Sequence, residues 1–248
     1  DPLTEEERIC NLVADSIGDI DREAFQAEGV ACACARVEGA VSPVSGVLVD
    51  AQGGRTILHH RDERLHGAAV ADLDRLLVDI DGVLADDHYP EFAAPICAAA
   101  RRRGLPVVLD VEKRISAADP LWLATTHRIF SRSGLAAAST SEDLAEALGG
   151  FDGSDGAFLA VTDGARPVHW RSGNGGGQIQ AFAVHAVDTL GAGDVFHGAF
   201  AFALVEMGDP VRALRFAAAT AALKCTRFGG GAATPTRAEV DRFLLENA

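Results

Sequence analysis

The sequence predicts a layered α/β fold: a mostly parallel central sheet with helices on both faces, plus a small β lid. Three observations carry this expectation. Short apolar strands alternate with helical stretches from about residue 70 to residue 161, the pattern of a parallel sheet covered on both sides. The last third is mostly helical, and the first half holds a glycine-containing hairpin signal. At 248 residues the chain reads as a single domain spanning 1–248, with residues 40–62 contributing the lid.

The elements follow in order. Residues Thr4 to Phe25 read as a helix, followed by extended segments. Val44 to Val49 and Arg55 to His60 are β-rich runs joined by Asp50-Ala51-Gln52-Gly53-Gly54, which reads as a hairpin turn. Ala71 to Val78 is expected to be helical, Gly82 to Ala85 a short buried strand and Glu91 to Arg103 a helix. Gly104-Leu105-Pro106 then leads into the strand Val107 to Asp110. His127 to Phe130 and Gly156 to Val161 are strands separated by a helix at Ser141 to Leu148. Gln180 to Val184 is also strand-like. Ala192 to Met207 is an apolar helix stopped by Gly208-Asp209-Pro210, and the proline starts the next helix, which runs to about Arg227. Thr236-Arg237-Ala238-Glu239 matches a capping box and opens a last helix with Val240, Phe243 and Leu244 on one stripe.

Charge narrows the partners. The 22 Lys and Arg against 36 Asp and Glu leave a formal charge of −14. Such a surface repels phosphate backbones and anionic lipid, so neither nucleic acid nor membrane is expected as the main partner. The five cysteines form no C-x-x-C pair, and the histidines show no metal spacing, which suits a reduced, cytoplasmic protein. The acidic N-terminus lacks the regions of a signal peptide, and the apolar stretch around Val195 to Val205 is too short to span a bilayer.

Chemistry concentrates in Asp188-Thr189-Leu190-Gly191-Ala192-Gly193-Asp194, which opens the apolar helix. A Gly-Ala-Gly turn at a helix start leaves backbone N–H groups pointing outward, and its small side chains let an anion reach them. The helix dipole adds partial positive charge. Asp194 cannot serve to bind phosphate, because like charges repel, so a general-base role toward an attacking hydroxyl fits it. Together these features suggest phosphoryl transfer. The competing reading is a glycine loop ended by an N-capping Asp194.

The longer pattern resembles a known family. Asp188 to Asp194, the apolar helix after it, and Arg227-Phe228-Gly229-Gly230-Gly231-Ala232-Ala233-Thr234-Pro235-Thr236 are similar to the C-terminal signature of the ribokinase-like sugar kinases, the PfkB carbohydrate kinase family. Ala27 to Val30, the hairpin ending at Arg55-Thr56-Ile57, and Val161-Thr162-Asp163-Gly164-Ala165 stand in the order that family uses. The resemblance implies a ribokinase-like three-layer fold and an ATP-dependent kinase of a sugar or keto-sugar acid, of the ketose, fructose or 2-keto-3-deoxygluconate type. It makes Asp194 the catalytic base and Gly191, Ala192 and Gly193 the anion hole for the γ-phosphate. Thr162 and Gly164 fall where nucleotide phosphates or ribose are held, and Gly229 and Gly230 beside the adenine, with Lys224 and Ala221 nearby. Asp188 matches a position that helps bind a monovalent cation, potassium, in some members; ordering the loop by accepting backbone N–H bonds is its other reading. Magnesium is expected with the triphosphate. Nucleoside or vitamin-precursor kinases of the same superfamily, and a non-catalytic binding protein, are the alternatives.

Two departures from the family pattern stand out. Ser131-Arg132-Ser133-Gly134 occupies the place of an N-x-x-E motif, with neither Asn nor Glu. Upstream of residue 28 neither the family's first strand nor its Gly-Gly segment is recognisable, so the chain reads as a fold lacking that part. For the sugar, Arg61 is the strongest candidate, because a guanidinium can hold an anion by two parallel bonds. His60 and Asp87 are the others, with a solvated lid strand or a helix cap as their plain readings. The exposed hairpin edge suggests a homodimer through the lid.

Overall fold

A computed structural model of the chain describes residues 7–10, 13, 15–34, 37–49, 55–151, 155–173 and 175–247. They fall into two compact units: Asp1–Asp79 with Tyr89–Phe92, and Ile80–His88 with Ala93–Ala248.

In the first unit, β1 (Glu7–Cys10) pairs in parallel with β2 (Ala31–Cys34), and α1 (Ser16–Ala27) forms the crossover between them. The sequence reads as helix from Thr4, so β1 is a correction; residues before Glu7 lie outside the described ones. Pairing with β2, more than twenty residues away, decides this segment where local propensity does not. Asp15 caps α1 by accepting the Gly18 N–H at 2.8 Å, and it also accepts the backbone N–H and hydroxyl of Ser42. These bonds, the Gly18 amide first, hold its carboxyl down to about 2. Asp62 likewise accepts the Val41 N–H at 2.8 Å and is paired with Arg64. Two carboxylates therefore fasten residues 41 and 42 beside a small core of Val13, Ala40 and Leu65, against which Val37 and Tyr89 pack.

The expected hairpin is present: β3 (Val44–Val49) runs antiparallel to β4 (Arg55–His60), with Val44 opposite His60 and Val47 opposite Ile57. Its turn, Asp50 to Gly54, lies outside the described residues. Leu48 and Leu58 are 61% and 62% exposed. A 3-10 turn at Glu63–Gly67 follows, and then α2 (Leu73–Leu76), a single turn where the sequence reads a longer helix.

The second unit is built on a six-stranded sheet. Strands β5 (Val83–Asp86), β6 (Val107–Val111), β7 (His127–Ser131) and β8 (Phe158–Thr162) are parallel and adjacent. An antiparallel pair, β9 (Val168–Ser172) and β10 (Gly175–Ile179), completes the sheet beyond β8. Gln180 to Val184, expected to be a strand, is not one; the sheet ends just before it. β10 gave no side-chain signal because it begins with three glycines; Gly175 adopts φ +135°, and close packing constrains the next two. A Cβ on Gly176 would come within 2.9 Å of the Trp170 carbonyl oxygen, and one on Gly177 within 3.2 Å of the indole ring.

Helices complete the layers. They are α3 (Pro90–Arg102), α4 (Pro120–Ala124), α5 (Arg132–Ala138), α6 (Leu144–Gly149), α7 (Ala192–Met207), α8 (Pro210–Cys225) and α9 (Arg237–Glu246). Because strand side chains alternate, Val108, Ile129, Phe158 and Ala160 point to one face and join Phe196, Phe200 and Leu204 of α7 and Leu214 and Ala217 of α8 in one core. The opposite parity, with Phe130 against Trp122 of α4 and Phe151, fills the other face. The helix α5 went unseen in the sequence because it starts straight from β7: Ser131 ends the strand and caps the helix, accepting the Gly134 N–H at 3.0 Å. Both halves of the expected capping box at Thr236 and Glu239 are formed.

Candidate active site at the start of helix α7

The second unit gathers the expected anion hole, base, T-x-G turn and C-terminal glycines. Gly191 adopts φ +74° as the N-cap of α7, a left-handed conformation that suits glycine. Gly193 and Asp194 lie in the first helical turn, where backbone N–H groups have no carbonyl one turn behind them. The Ala192 N–H bends back to the Thr189 carbonyl at 3.3 Å. Asp194 is exposed at this end, its carboxylate close to Gly191.

The loop before Gly191 is heavily fastened. Asp188 accepts the Leu190 N–H at 2.8 Å through Oδ1 and the Gly229 N–H at 3.2 Å through Oδ2. Its backbone N–H and that of Val187 both reach the Cys225 carbonyl, at 3.1 and 2.7 Å. A single carboxylate thus ties the loop before α7 to the glycine turn after α8. Lys224 is fully buried, and its ammonium donates to the carbonyls of Asp188, at 3.2 Å, and of Leu190. These bonds go to the loop before α7; the resemblance suggests a nucleotide contact for the same residue. Gly229 has φ +116°, and beside it Phe228 is 87% exposed, an aromatic face that sequence reasoning passed over.

Where the sequence reads Asp110 as either a sugar contact or a helix cap, the structure pairs it with the His197 imidazole. Asp110, at the end of β6, lies 3.2 Å from His197 Nδ1, and the same nitrogen is 2.8 Å from the Gly193 carbonyl. Burial, then the negative charges of Glu112, Asp194, Asp86 and Asp87, pushes the Asp110 carboxyl up to about 8. Burial also lowers His197. Both shifts run toward the neutral forms, against the ion-pair geometry of the contact. With the imidazole neutral, Nδ1 carries the proton and donates to the Gly193 carbonyl. The available signal was spacing: His197 stands one helical turn after Gly193.

Asp87 is buried at the carboxyl end of β5, and its Oδ2 accepts the N–H groups of Glu112 and Lys113 at 3.0 and 2.8 Å. Oδ1 has no hydrogen-bond partner among the described residues. Thr162 ends β8, its hydroxyl 3.3 Å from the Phe130 carbonyl, and Gly164 is exposed at φ +60°. Between them Asp163 is buried; burial works to raise its carboxyl, but bonds from Arg166 and Arg132 hold it below the usual range. Arg132, in the stretch that replaces N-x-x-E, thus secures the T-x-G turn at 2.6 Å. His60 and Arg61 belong to the first unit, where His60 is exposed on β4 and Arg61 is half-buried. Among the described residues no three His, Cys, Asp or Glu side chains converge to hold a metal.

The pfkB family carbohydrate kinase profile matches residues 9–237. Ribokinase of Bacillus subtilis is 44% identical over 88 residues, 36% of this chain and 30% of that protein. The ATP-dependent ribose-1-phosphate kinase of Halopiger xanaduensis is 30% identical over 93% of this chain and 79% of its own length. Among solved structures, ribokinase from Thermotoga maritima superposes with a TM-score of 0.75 at 25% identity, over 96% of this chain and 81% of that one. No described helix is long and apolar enough to cross a membrane.

Proposed function

Because the chain belongs to the pfkB family of carbohydrate kinases, which are phosphotransferases acting on sugar hydroxyls, we propose that it transfers the γ-phosphate of ATP to a ribose-type pentose. The observation that carries this reading is the pairing of Asp194 with an open helix N-terminus one residue away. Asp194 takes the proton of the sugar hydroxyl as that oxygen attacks phosphorus. The amides of Gly193 and Asp194, with the dipole of α7, stabilise charge developing on the transferred group. Asp110, kept neutral below about pH 8, spares both the base and the incoming phosphates a second negative charge. Magnesium bound with the nucleotide would supply positive charge against the phosphates. Thr162, Gly164, Gly229 and Gly230 receive the nucleotide, with Phe228 offering a face for the purine.

The acceptor is a pentose in this reading because both named relatives with sequence matches act on ribose or its phosphate. Fructose and 2-keto-3-deoxygluconate, favoured by sequence texture, compete in the same assay. Sugar recognition by His60, Arg61 and Asp87, and a lid formed by residues 40–62, belong to the same proposal. ADP release with Mg-ATP, measured across ribose, ribose 1-phosphate, deoxyribose, fructose, 2-keto-3-deoxygluconate and nucleosides, tests it. The expected result is turnover with a pentose and a loss of about a thousandfold in Asp194→Asn with ATP binding retained. Unchanged turnover in Asp194→Asn removes the base; turnover with nucleosides alone removes the sugar.

The hairpin supports a homodimer. Val44, Val47, Leu48, Ile57 and Leu58 are all exposed, leaving an apolar two-stranded ribbon in contact with water. Sedimentation velocity is expected to give a dimer that Leu48→Ser with Leu58→Ser converts to monomer. A wild-type monomer at working concentration refutes this assembly.

A further inference from the structure

The loop that carries the anion hole is organised around a cation supplied by the chain itself. Lys224 sits in the last turn of α8 with no exposed surface. Its Nζ donates to the Asp188 and Leu190 carbonyls and lies 3.7 Å from Asp188 Oδ2. An ammonium has three donors, and here three oxygens face it, all from the two residues that lead into Gly191. Two carbonyls and a carboxylate are also the oxygen donors that a hard monovalent cation takes.

We propose that the Lys224 ammonium permanently fills the position at which Asp188 would otherwise hold a potassium ion, so that the phosphate loop is ordered without any added monovalent cation. The residues present do not fit a potassium ion beside this ammonium, because two positive charges would share one carboxylate and the same carbonyls. The rest of the loop is consistent with a closed cage. Oδ1 and Oδ2 of Asp188 are already engaged by the Leu190 and Gly229 amides, and the Cys225 carbonyl next to Lys224 holds the amides of Val187 and Asp188. One helix end thus supplies both the cation and the backbone anchor. Lys224 is a positioning residue: it acts on the anion hole through the loop carbonyls and touches no substrate. The kinetic consequence rests on the kinase reading above, whereas the cage stands on its contacts alone.

The test compares the protein in about 100 mM potassium, sodium or tetramethylammonium chloride, so that ionic strength is matched. Melting temperature and sugar phosphorylation of the wild type are expected to be the same in all three. Lys224→Ala, which empties the cage, is expected to lose at least about tenfold in kcat in tetramethylammonium. It should recover activity and melting temperature in potassium or methylammonium, both small enough to enter. Lys224→Met, which keeps the bulk without the charge, should lose activity and recover in neither. A wild type that melts higher or turns over several-fold faster in potassium overturns the proposal. So does a folded Lys224→Ala protein that responds to neither potassium nor methylammonium. Should Lys224→Ala fail to fold in every salt, the wild-type comparison decides alone. If no sugar is phosphorylated at all, the melting temperatures still judge the cage, and the kinase reading fails separately.

Discussion

Two fully buried cations in the second unit are held by the same physics in different places. Arg128 in β7 bonds to the Trp122 carbonyl at 2.7 Å and the Thr125 hydroxyl at 2.9 Å, pairs with Asp155, and lies 3.9 Å over the Trp122 ring. Lys224 is held by the Asp188 and Leu190 carbonyls and the Asp188 carboxylate. Each is a positive charge removed from water and repaid by carbonyl oxygens and one acid. Arg128, however, lies near the amino end of its strand and joins α4 to the segment before β8. The cage of Lys224 opens onto the start of α7, where Asp194 stands. The difference teaches that burial and pairing alone do not mark a functional cation; what matters is which loop the carbonyls belong to. In parallel sheets, ligands gather beyond the carboxyl ends of the strands.

The contrast breaks most directly at Arg128. Replacing Arg128 with Met removes the guanidinium while leaving Asp155 and two carbonyls without it, so a loss of about 3 kcal/mol in unfolding free energy is expected. Urea denaturation measures the loss, and kcat of the protein that remains folded should stay within about twofold of wild type. Should Arg128→Met instead keep its stability and lose turnover as the Lys224 variants are expected to, the two cages would not differ in kind.

Neither cage was legible in the sequence, and the reason is distance along the chain. Lys224 meets carbonyls more than thirty residues earlier, and Asp155 is 27 residues beyond Arg128. Lysine at a helix end and arginine within a strand carry no local sign of such burial. Features written in adjacent residues were legible: the capping box at Thr236, the hairpin strands, proline at the start of α8, and the Gly-Ala-Gly turn with its aspartate. The strand β1 and the β9–β10 edge failed for the same reason as the cages. Their pairing is set by distant partners, and Gly175 to Gly177 offer no side chain to read. The sequence left Asp110 between a sugar contact and a helix cap, because its burial comes from α7 packing over β5 and β6.

Asp110 sharpens the comparison in the opposite sense, as a buried acid whose polar atoms are incompletely met. Its Oδ1 has no hydrogen-bond partner among the described residues, nor has Nε2 of His197. The folded carboxyl titrates near 8, above the value of 3.8 for a free side chain. Between those values the folded protein holds a proton that the unfolded chain has released, so this group favours the native state below about pH 4 and opposes it increasingly up to about pH 8. Asp110→Asn, which cannot ionise, should therefore match wild type most closely at the acid end of its stable range. Its advantage should grow through neutrality and level off above about pH 8. Unfolding by urea at several pH values measures that difference. A difference that stays flat with pH would mean that Asp110 is solvated like any surface carboxylate. The Asp194 end of α7 would then have no neutral acid beside it, and the contrast with the fully met Lys224 cage would vanish.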